Sequence, residues 1–269
     1  DVPDFEQAKK QAYPRLSHVN GSTPEEPKRP DAPGGNDKDV SIELEGWMRQ
    51  LEAVARRAER AAAKGAHVLI IRNTVKACQR LFEEIDERYA LRVEHDAGEV
   101  ATPHHSRYCA ADRKCLDDRI EAVYGKHEIE KNGERQIVRP TDGHVITVAT
   151  QTVEQSLDID ADLLITDLCP MDVLLQRIGR LHRHDREGRR PEAYANPQCI
   201  TLTPAARDLT VAIDSDSGKG YPGPGLGSVY GDLRIIEATW RALAKRHEAR
   251  ESLSIPDDNR TLVEEATHP

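Results

Sequence analysis

Two short apolar runs between residues 145 and 184, each followed by polar residues, constrain the fold of this chain most strongly. Val145–Ala149 leads into Thr150, and residues 163–166 lead into a helical pattern over residues 173–180. Short β-branched runs bounded by polar residues are typical of buried parallel strands. Ligands of open α/β sheets bind beyond the carboxyl ends of the strands. The sequence therefore predicts an α/β domain with a binding site at this edge of its sheet.

Strand and helix patterns alternate from residue 67 to residue 203, which predicts a mainly parallel sheet flanked by helices. The first strongly buried strand is predicted at 67–72, and Thr74 is a suitable N-cap for a helix over 75–89. Residues 126–142 are predicted to be loop or a helix end. The remaining predicted elements are strands at 13–16 (an edge), 40–44, 90–94 and 197–203 and helices at 47–64, 111–124 and 233–246.

Composition and charge exclude several classes of protein. No apolar run approaches the roughly 20 residues that cross a bilayer, and the first residues lack the pattern of an export signal. The five cysteines are scattered without a CxxC pair, a pattern typical of proteins that keep their thiols reduced in the cytosol. The formal net charge is −9, which does not by itself indicate nucleic-acid binding. We therefore expect a cytoplasmic protein without a membrane segment.

A cluster of basic residues follows the second apolar run and carries the strongest chemical signal. Guanidinium groups are always charged and bind phosphate oxygens bidentately, so the cluster predicts an anion site. On a continuous helix, Gln176, Arg180 and Arg183 would lie on one side, as an arginine finger for phosphoryl transfer requires. The alternative is the polar face of a surface helix. The basic residues are Arg177, Arg180, His182, Arg183, His184, Arg186, Arg189 and Arg190.

Other polar residues have purely structural alternatives. Asn73 and Thr74 could serve only as a helix cap, and Asp158 and Asp160 could close a turn. One further group of His and Cys residues suggests zinc ligands, but its spacing does not match a usual ligand pattern, so no metal site is predicted. That group comprises His104, His105, Cys109 and Cys115.

Four segments of the sequence resemble motifs of one enzyme family. TQTVEQSLDID at 150–160 and QRIGRLHR at 176–183 resemble motifs V and VI of superfamily 2 helicases. Their EQSLD core and LHRH ending resemble the CRISPR-associated helicase–nuclease of type I systems more closely than other branches. VLIIRNTVKACQRLFEEI resembles motif IV of that family, and HHSRYCAADR resembles its His-Ser-Arg-aromatic segment. The resemblance covers residues 67–203, extends loosely over 229–266, and is weak over 1–66.

This resemblance implies the second of two RecA-like lobes, with ATP and Mg²⁺ bound between the lobes and single-stranded DNA crossing both. By position, Arg180 and Arg183 would contact the γ-phosphate, and Gln176 would help to set the geometry of ATP. Asp158 would meet the ribose or couple the nucleotide state to lobe closure. The residues expected to contact nucleic acid are Thr150, Gln151, Asn73, Thr74 and, more weakly, His105 and Arg107.

The resemblance also implies a division of the chain into four parts. These are an inter-lobe or insertion segment at 1–66 with a flexible loop at 18–39, the second lobe at 67–213, a Gly/Pro-rich loop at 214–231, and a truncated helical linker at 232–269. Neither a G-x-x-x-x-G-K-[ST] phosphate loop nor an Asp-Glu-x-His motif occurs in the sequence. The HD nuclease domain of the family, with its metal, is also outside the chain. The chain alone is therefore expected to be inactive.

The partners implied by the resemblance are the first RecA-like lobe, the HD nuclease domain, single-stranded DNA and a CRISPR surveillance complex of the Cascade type. The expected function is ATP-driven translocation in CRISPR interference, an antiviral defence against foreign DNA. Two alternatives remain at this point. The chain could be a lobe of another superfamily 2 DNA or RNA helicase, or it could be a non-catalytic remnant that binds nucleic acid.

Overall fold

The computed structural model describes residues 19–20, 23–24, 37–95, 98–131, 134–138, 144–154, 157–186, 190–212, 226 and 228–267. The chain divides into two compact units, Asp1–Asp37 and Lys38–Pro269. In the first unit, strands β1 (Val19–Asn20) and β2 (Thr23–Pro24) form an antiparallel pair within the predicted loop. The strand edge predicted at 13–16 lies outside the described residues.

The second unit contains the elements that alternate along the chain. Its strands are β3 (Lys38–Glu45), β4 (His67–Ile71), β5 (Arg92–His95), β6 (Gly98–Ala101), β7 (His127–Lys131), β8 (Glu134–Val138), β9 (Val145–Ala149), β10 (Leu163–Asp167), β11 (Gln198–Leu202) and β12 (Leu253–Ile255). Its α-helices are α1 (Leu51–Ala62), α2 (Val75–Phe82), α3 (Ala110–Tyr124), α4 (Met171–Ile178), α5 (Leu233–Ala249) and α6 (Asn259–Thr267). Short 3₁₀ turns lie at Gln151–Val153, Glu192–Tyr194 and Leu209–Ala212.

Six of these strands form one sheet in the order β12-β3-β11-β10-β4-β9. The five strands from β3 to β9 are parallel, and β12 is antiparallel to β3. Every residue of β4 and β10 is buried, as continuous apolar runs in the middle of a parallel sheet require. The core joins these strands to the buried faces of α1, α4 and α5. The predicted α/β fold with a mainly parallel sheet flanked by helices is therefore confirmed.

The first and last segments of the second unit belong to this same sheet. Residues 38–45 form β3, which pairs with β11 at one end of the sheet, and β12 then pairs with β3. The division into compact units falls after Asp37, just before β3, and the domain boundary expected at residue 66 stays a prediction. The strand predicted at 197–203 is present but is not the last one. A three-residue strand such as β12 is too short to show a period in the sequence.

Two further predictions are wrong in detail. The helix predicted over 75–89 ends at Phe82, turns follow, and the Asp86 amide donates to Glu59 of α1 (2.9 Å) instead of to a helical carbonyl. Residues 126–142 contain the β7–β8 hairpin instead of a loop. Residues 127–130 are exposed, so their strand shows no buried alternation in the sequence. Among the described residues, no helix is long and apolar enough to cross a membrane.

Candidate functional site

The carboxyl ends of β4, β9 and β10 meet at one edge of the sheet, which we call the motif edge. Asp167, the last residue of β10, fixes the turn that follows β4. Its Oδ2 accepts hydrogen bonds from Nε of Arg72 (3.0 Å) and from the amide of Asn73 (2.8 Å). Both partners of the Arg72–Asp167 ion pair are at least 97% buried, their side chains being 3% and 1% exposed. The backbone of Asn73 is therefore held between β10 and β9.

Arg177 of α4 is the centre of the motif edge, and the predicted site set omitted it. Its side chain is fully buried, and its guanidinium donates to five groups. Burial alone would lower the pKa of Arg177, but the acidic groups around it, which include Glu154, raise the pKa above its usual value. The acceptors are Glu154 Oε1 (2.7 Å), Thr166 Oγ1 (2.6 Å), Asp167 O (3.1 Å), Asn73 Oδ1 (3.0 Å) and Tyr230 Oη (3.1 Å).

Helix α4 ends at Ile178, so the prediction of a helix continuing through Arg180 is wrong. The carbonyl groups beyond the last turn take partners from elsewhere in the fold. Lys38 Nζ donates to Ile178 O (2.9 Å) and to Leu181 O. The Arg180 carbonyl accepts from the Ala161 amide (2.9 Å). Arg180 and Arg183 consequently lie on a short non-helical segment, which we call the arginine loop, residues 179–183.

Arg180 and Arg183 lie beside Asp158. Arg180 is half-buried and donates to the carbonyls of Glu154 (2.8 Å) and Leu157. Nε of Arg183 pairs with Asp158 Oδ1 at 3.2 Å, and the Arg183 side chain is 41% exposed. Gln176 is exposed on the last turn of α4. The structure therefore brings Asp158, Arg180 and Arg183 together, whereas Gln176 projects from the neighbouring helix.

The other basic residues of the predicted anion cluster serve the interior of the fold. Arg186 and Arg190 both donate to Asp160, the latter at 2.8 Å, and Arg190 also donates to Asp162 at 2.8 Å. Burial would raise the pKa of Asp160, but the two arginines lower it below its usual range. Arg189 lies outside the described residues. The cluster is therefore not a single anion site, because Asp160 and Asp162 neutralise Arg186 and Arg190.

The residues predicted to contact nucleic acid lie at the ends of β4 and β9. Gln151 Nε2 donates to Asn73 O (2.9 Å), and Asn73 Nδ2 donates to Leu168 O (2.8 Å). Asn73 and Thr150 are buried, whereas Gln151 is partly exposed. Thr74 Oγ1 accepts a hydrogen bond from the Ala77 amide (3.1 Å), which confirms it as the N-cap of α2. In this structure the side chain of Asn73 is thus used for internal contacts.

The segment before α3 carries the two remaining nucleic-acid candidates. His105 is buried and stacks on Tyr108 with ring centroids 4.5 Å apart, while Arg107 is exposed. His104 lies between Asp117 Oδ1 (2.6 Å) and Thr152 Oγ1 (2.7 Å). Burial lowers the pKa of both histidines. Over the described residues, no group of His, Cys, Asp or Glu side chains has the arrangement of a metal site.

One line of hydrogen bonds joins the residues that follow β4 and β9 to the arginine loop. It begins at Gln151, which bonds Asn73, and continues from Asn73 to Arg177 and from Arg177 to Glu154. Arg180 then donates to the Glu154 carbonyl. A mainly parallel sheet flanked by helices, with polar side chains beyond the carboxyl ends of its strands, is the arrangement of RecA-like lobes.

Comparison with known proteins agrees with this class and narrows it. Residues 64–186 match the family model of the CRISPR-associated nuclease/helicase Cas3, C-terminal. The Cas3 endonuclease/helicase of Thermus thermophilus is 40% identical over 161 residues, which are 60% of this chain and 14% of that protein. Its Escherichia coli counterpart is 34% identical over 204 residues, 76% of this chain and 19% of that protein. The crystal structure of T. fusca Cas3-AMPPNP shares 26% identity with a TM-score of 0.69, over 96% of this chain and 28% of that one.

The chain belongs to the Cas3 family of CRISPR-associated nuclease/helicases and matches the C-terminal part of its members. The alternative of a lobe from another superfamily 2 DNA or RNA helicase is thereby set aside. The chain spans between 14% and 24% of the length of three curated relatives that it matches.

Proposed function

We propose that this chain is the second motor lobe of an ATP-dependent translocase or helicase that moves on single-stranded DNA in CRISPR interference. The observation that carries the proposal is the continuous line of hydrogen bonds from Gln151 and Asn73 through Arg177 and Glu154 to Arg180. A motor lobe needs such a connection because DNA bound at one set of strand ends must alter phosphate contacts at another. Membership of the Cas3 family supports the proposal that this lobe takes part in a cycle of ATP hydrolysis.

The arginine loop fits an anionic ligand. Within the described part of the chain, Nε of Arg180 is buried without a hydrogen-bond partner, and a phosphate oxygen would satisfy this donor. Arg180 and Arg183 would stabilise negative charge on a transferring phosphoryl group, with Gln176 orienting the nucleotide and Asp158 contacting its ribose. ATP with Mg²⁺, held mainly by the first lobe, supplies that phosphoryl group. A CRISPR surveillance complex of the Cascade type is the partner that we propose for recruitment.

The chain contributes only part of this machinery. Its sequence contains neither a phosphate loop nor an Asp-Glu-x-His motif. We therefore propose that turnover requires the first lobe and that DNA cleavage requires the HD nuclease domain with its metal. Thr150, Gln151, Asn73 and Thr74 would contact the DNA backbone from the strand ends, with short hydroxyl and amide groups of the kind that bind phosphates. His105 and Arg107 would add a contact from the segment before α3.

ATP hydrolysis by a full-length Cas3 that contains this chain tests the proposal. Single-stranded DNA should stimulate the parent protein, and Arg180→Ala should lower the stimulated rate by about 10³-fold or more, as for other arginine fingers. Arg56→Ala is the matched control, because Arg56 is 58% exposed and pairs along α1 with Glu52. Near-normal turnover in Arg180→Ala would contradict the assignment. A parent protein that binds DNA without hydrolysing ATP would instead favour a non-catalytic nucleic-acid-binding role.

A further inference from the structure

Tyr230 reaches the motif edge from the C-terminal part of the chain, just before α5. Its phenol oxygen accepts a hydrogen bond from Arg177 Nη2 (3.1 Å) and donates to Asn73 Oδ1 (3.4 Å). The phenol also interacts with the side chain of Gln151. One hydroxyl group therefore contacts the residues that follow β4 and β9 as well as the central arginine of α4.

The backbone holds this tyrosine in a defined place. Its amide donates to the Leu226 carbonyl (2.8 Å), and Leu226 is fully buried. Two residues later, Asp232 caps α5 by accepting a hydrogen bond from the Arg234 amide (2.9 Å). Helix α5 in turn packs against β3, and its buried face joins the core. Tyr230 is thus anchored independently of the strand ends that it contacts.

The phenol hydroxyl of Tyr230 can both donate and accept a hydrogen bond within this network. Burial raises the pKa of Tyr230 above its usual value, so the hydroxyl keeps its proton at neutral pH and can donate to Asn73. Arg177 is charged and fully buried, and hydrogen bonds to buried charged groups are the stronger ones. Loss of this hydroxyl removes one acceptor from the guanidinium and one donor from the Asn73 amide. Both changes fall on the segment that connects Gln151 with Arg180.

We propose that Tyr230 is a positioning residue that couples the binding of single-stranded DNA at Gln151 and Asn73 to the arginine loop. The inference rests on the proposed function and deepens it. When DNA pulls on the ends of β4 and β9, the phenol and Arg177 carry the displacement to α4, whose last residue immediately precedes the arginine loop. Without the hydroxyl, Asn73 and Arg177 keep their direct contact but lose the anchored group that fixes both.

The test is Tyr230→Phe in a full-length Cas3 that contains this chain, with ATP hydrolysis measured over a range of single-stranded DNA concentrations. The matched control is Tyr194→Phe, since Tyr194 is also buried and its hydroxyl also accepts from an arginine, Arg57 Nη1 at 3.3 Å. We expect the ratio of DNA-stimulated to DNA-free turnover to fall about tenfold in Tyr230→Phe, the effect of losing one hydrogen bond to a charged group. Tyr194→Phe should keep the ratio of the parent protein.

Three outcomes distinguish the inference from the proposed function. An unchanged stimulation ratio in Tyr230→Phe, beside a parent that depends on Arg180, would overturn the coupling role alone. An equal fall of both rates with a lowered melting temperature relative to Tyr194→Phe would show a purely structural role and would also overturn it. Absence of DNA-stimulated turnover in the parent protein would overturn both proposals.

Discussion

At the scale of single residues, the arginines that follow β10 look alike in sequence but differ in their surroundings. Arg177 is fully buried and bonds five acceptors, whereas Arg183 is 41% exposed. Arg186 and Arg190 neutralise buried carboxylates of the preceding turn. Arg180 has an intermediate position, half-buried with one nitrogen that lacks a partner within the described residues. A cluster of basic residues therefore indicates an anion site only where its members are not already paired with acidic residues of the same fold.

His182 lies in the middle of this group and predicts a pH dependence of stability. It is 8% exposed, and burial lowers its pKa to about 4 from an ordinary value of 6.5. Between these two values the unfolded chain binds a proton that the folded chain excludes, so stability falls as pH decreases from 6.5 to 4. His182→Asn should remove about 2 kcal/mol of the loss between pH 7 and pH 5, measured by urea unfolding of the chain.

Asparagine is the appropriate replacement because His182 has a φ of 46°, a left-handed conformation that asparagine adopts readily. His127→Asn, at an exposed position, is the control and should show the same pH dependence as the parent. An undiminished loss of stability in His182→Asn would show that another group binds the proton.

At the scale of elements, the ends of two helices could not be predicted from the sequence, because their backbone groups bond residues that are distant in the chain. The buried strands β4, β9 and β10 and the N-cap Thr74 were predicted from local patterns, because continuous apolar runs and capping residues act locally. The end of α4 was not, since the lysine that bonds Ile178 O lies 140 residues away in the chain. Beyond the end of α2, the Asp86 amide likewise bonds a residue of another helix, Glu59 of α1.

Substitution of Lys38 measures how much its hydrogen bonds to the carbonyls at the end of α4 stabilise the fold. Its ammonium group donates to the carbonyls of Ile178 and Leu181, and burial lowers its pKa to about 8, so it is charged at neutral pH. Lys38→Met should lower the free energy of unfolding by about 1–3 kcal/mol at pH 7, because two part-buried carbonyls lose their donor. The control is Lys114→Met, at an exposed ion pair with Asp118, where little or no loss of stability is expected because exposed pairs are screened by solvent. Equal losses in the two variants would contradict the capping role.

At the scale of the whole molecule, the second unit joins segments that the sequence separates. Strand β12 pairs with β3, and Tyr230 bonds an arginine 53 residues earlier in the chain. The motif resemblance grouped Asp158 with Arg180 and Arg183, which the structure places beside one another, and their roles toward a nucleotide stay predictions. It missed Arg177, Glu154, Lys38 and Tyr230 as members of the site. Glu154 and Arg177 stood inside the recognised motifs, whereas Lys38 and Tyr230 carried no local signal.

The central claim is that Arg177 holds the motif edge together while Arg180 is kept for a ligand. The free energy of unfolding of the chain in urea, compared between Arg177→Ala and Arg180→Ala, tests it most directly. Arg177→Ala should cost about 3–5 kcal/mol, because it leaves Glu154 buried without its partner. Arg180→Ala should cost about 1–3 kcal/mol, as for Lys38→Met, because two part-buried carbonyls lose their charged donor. A loss in Arg180→Ala as large as that in Arg177→Ala would contradict the claim, because Arg180 would then be a structural residue as well.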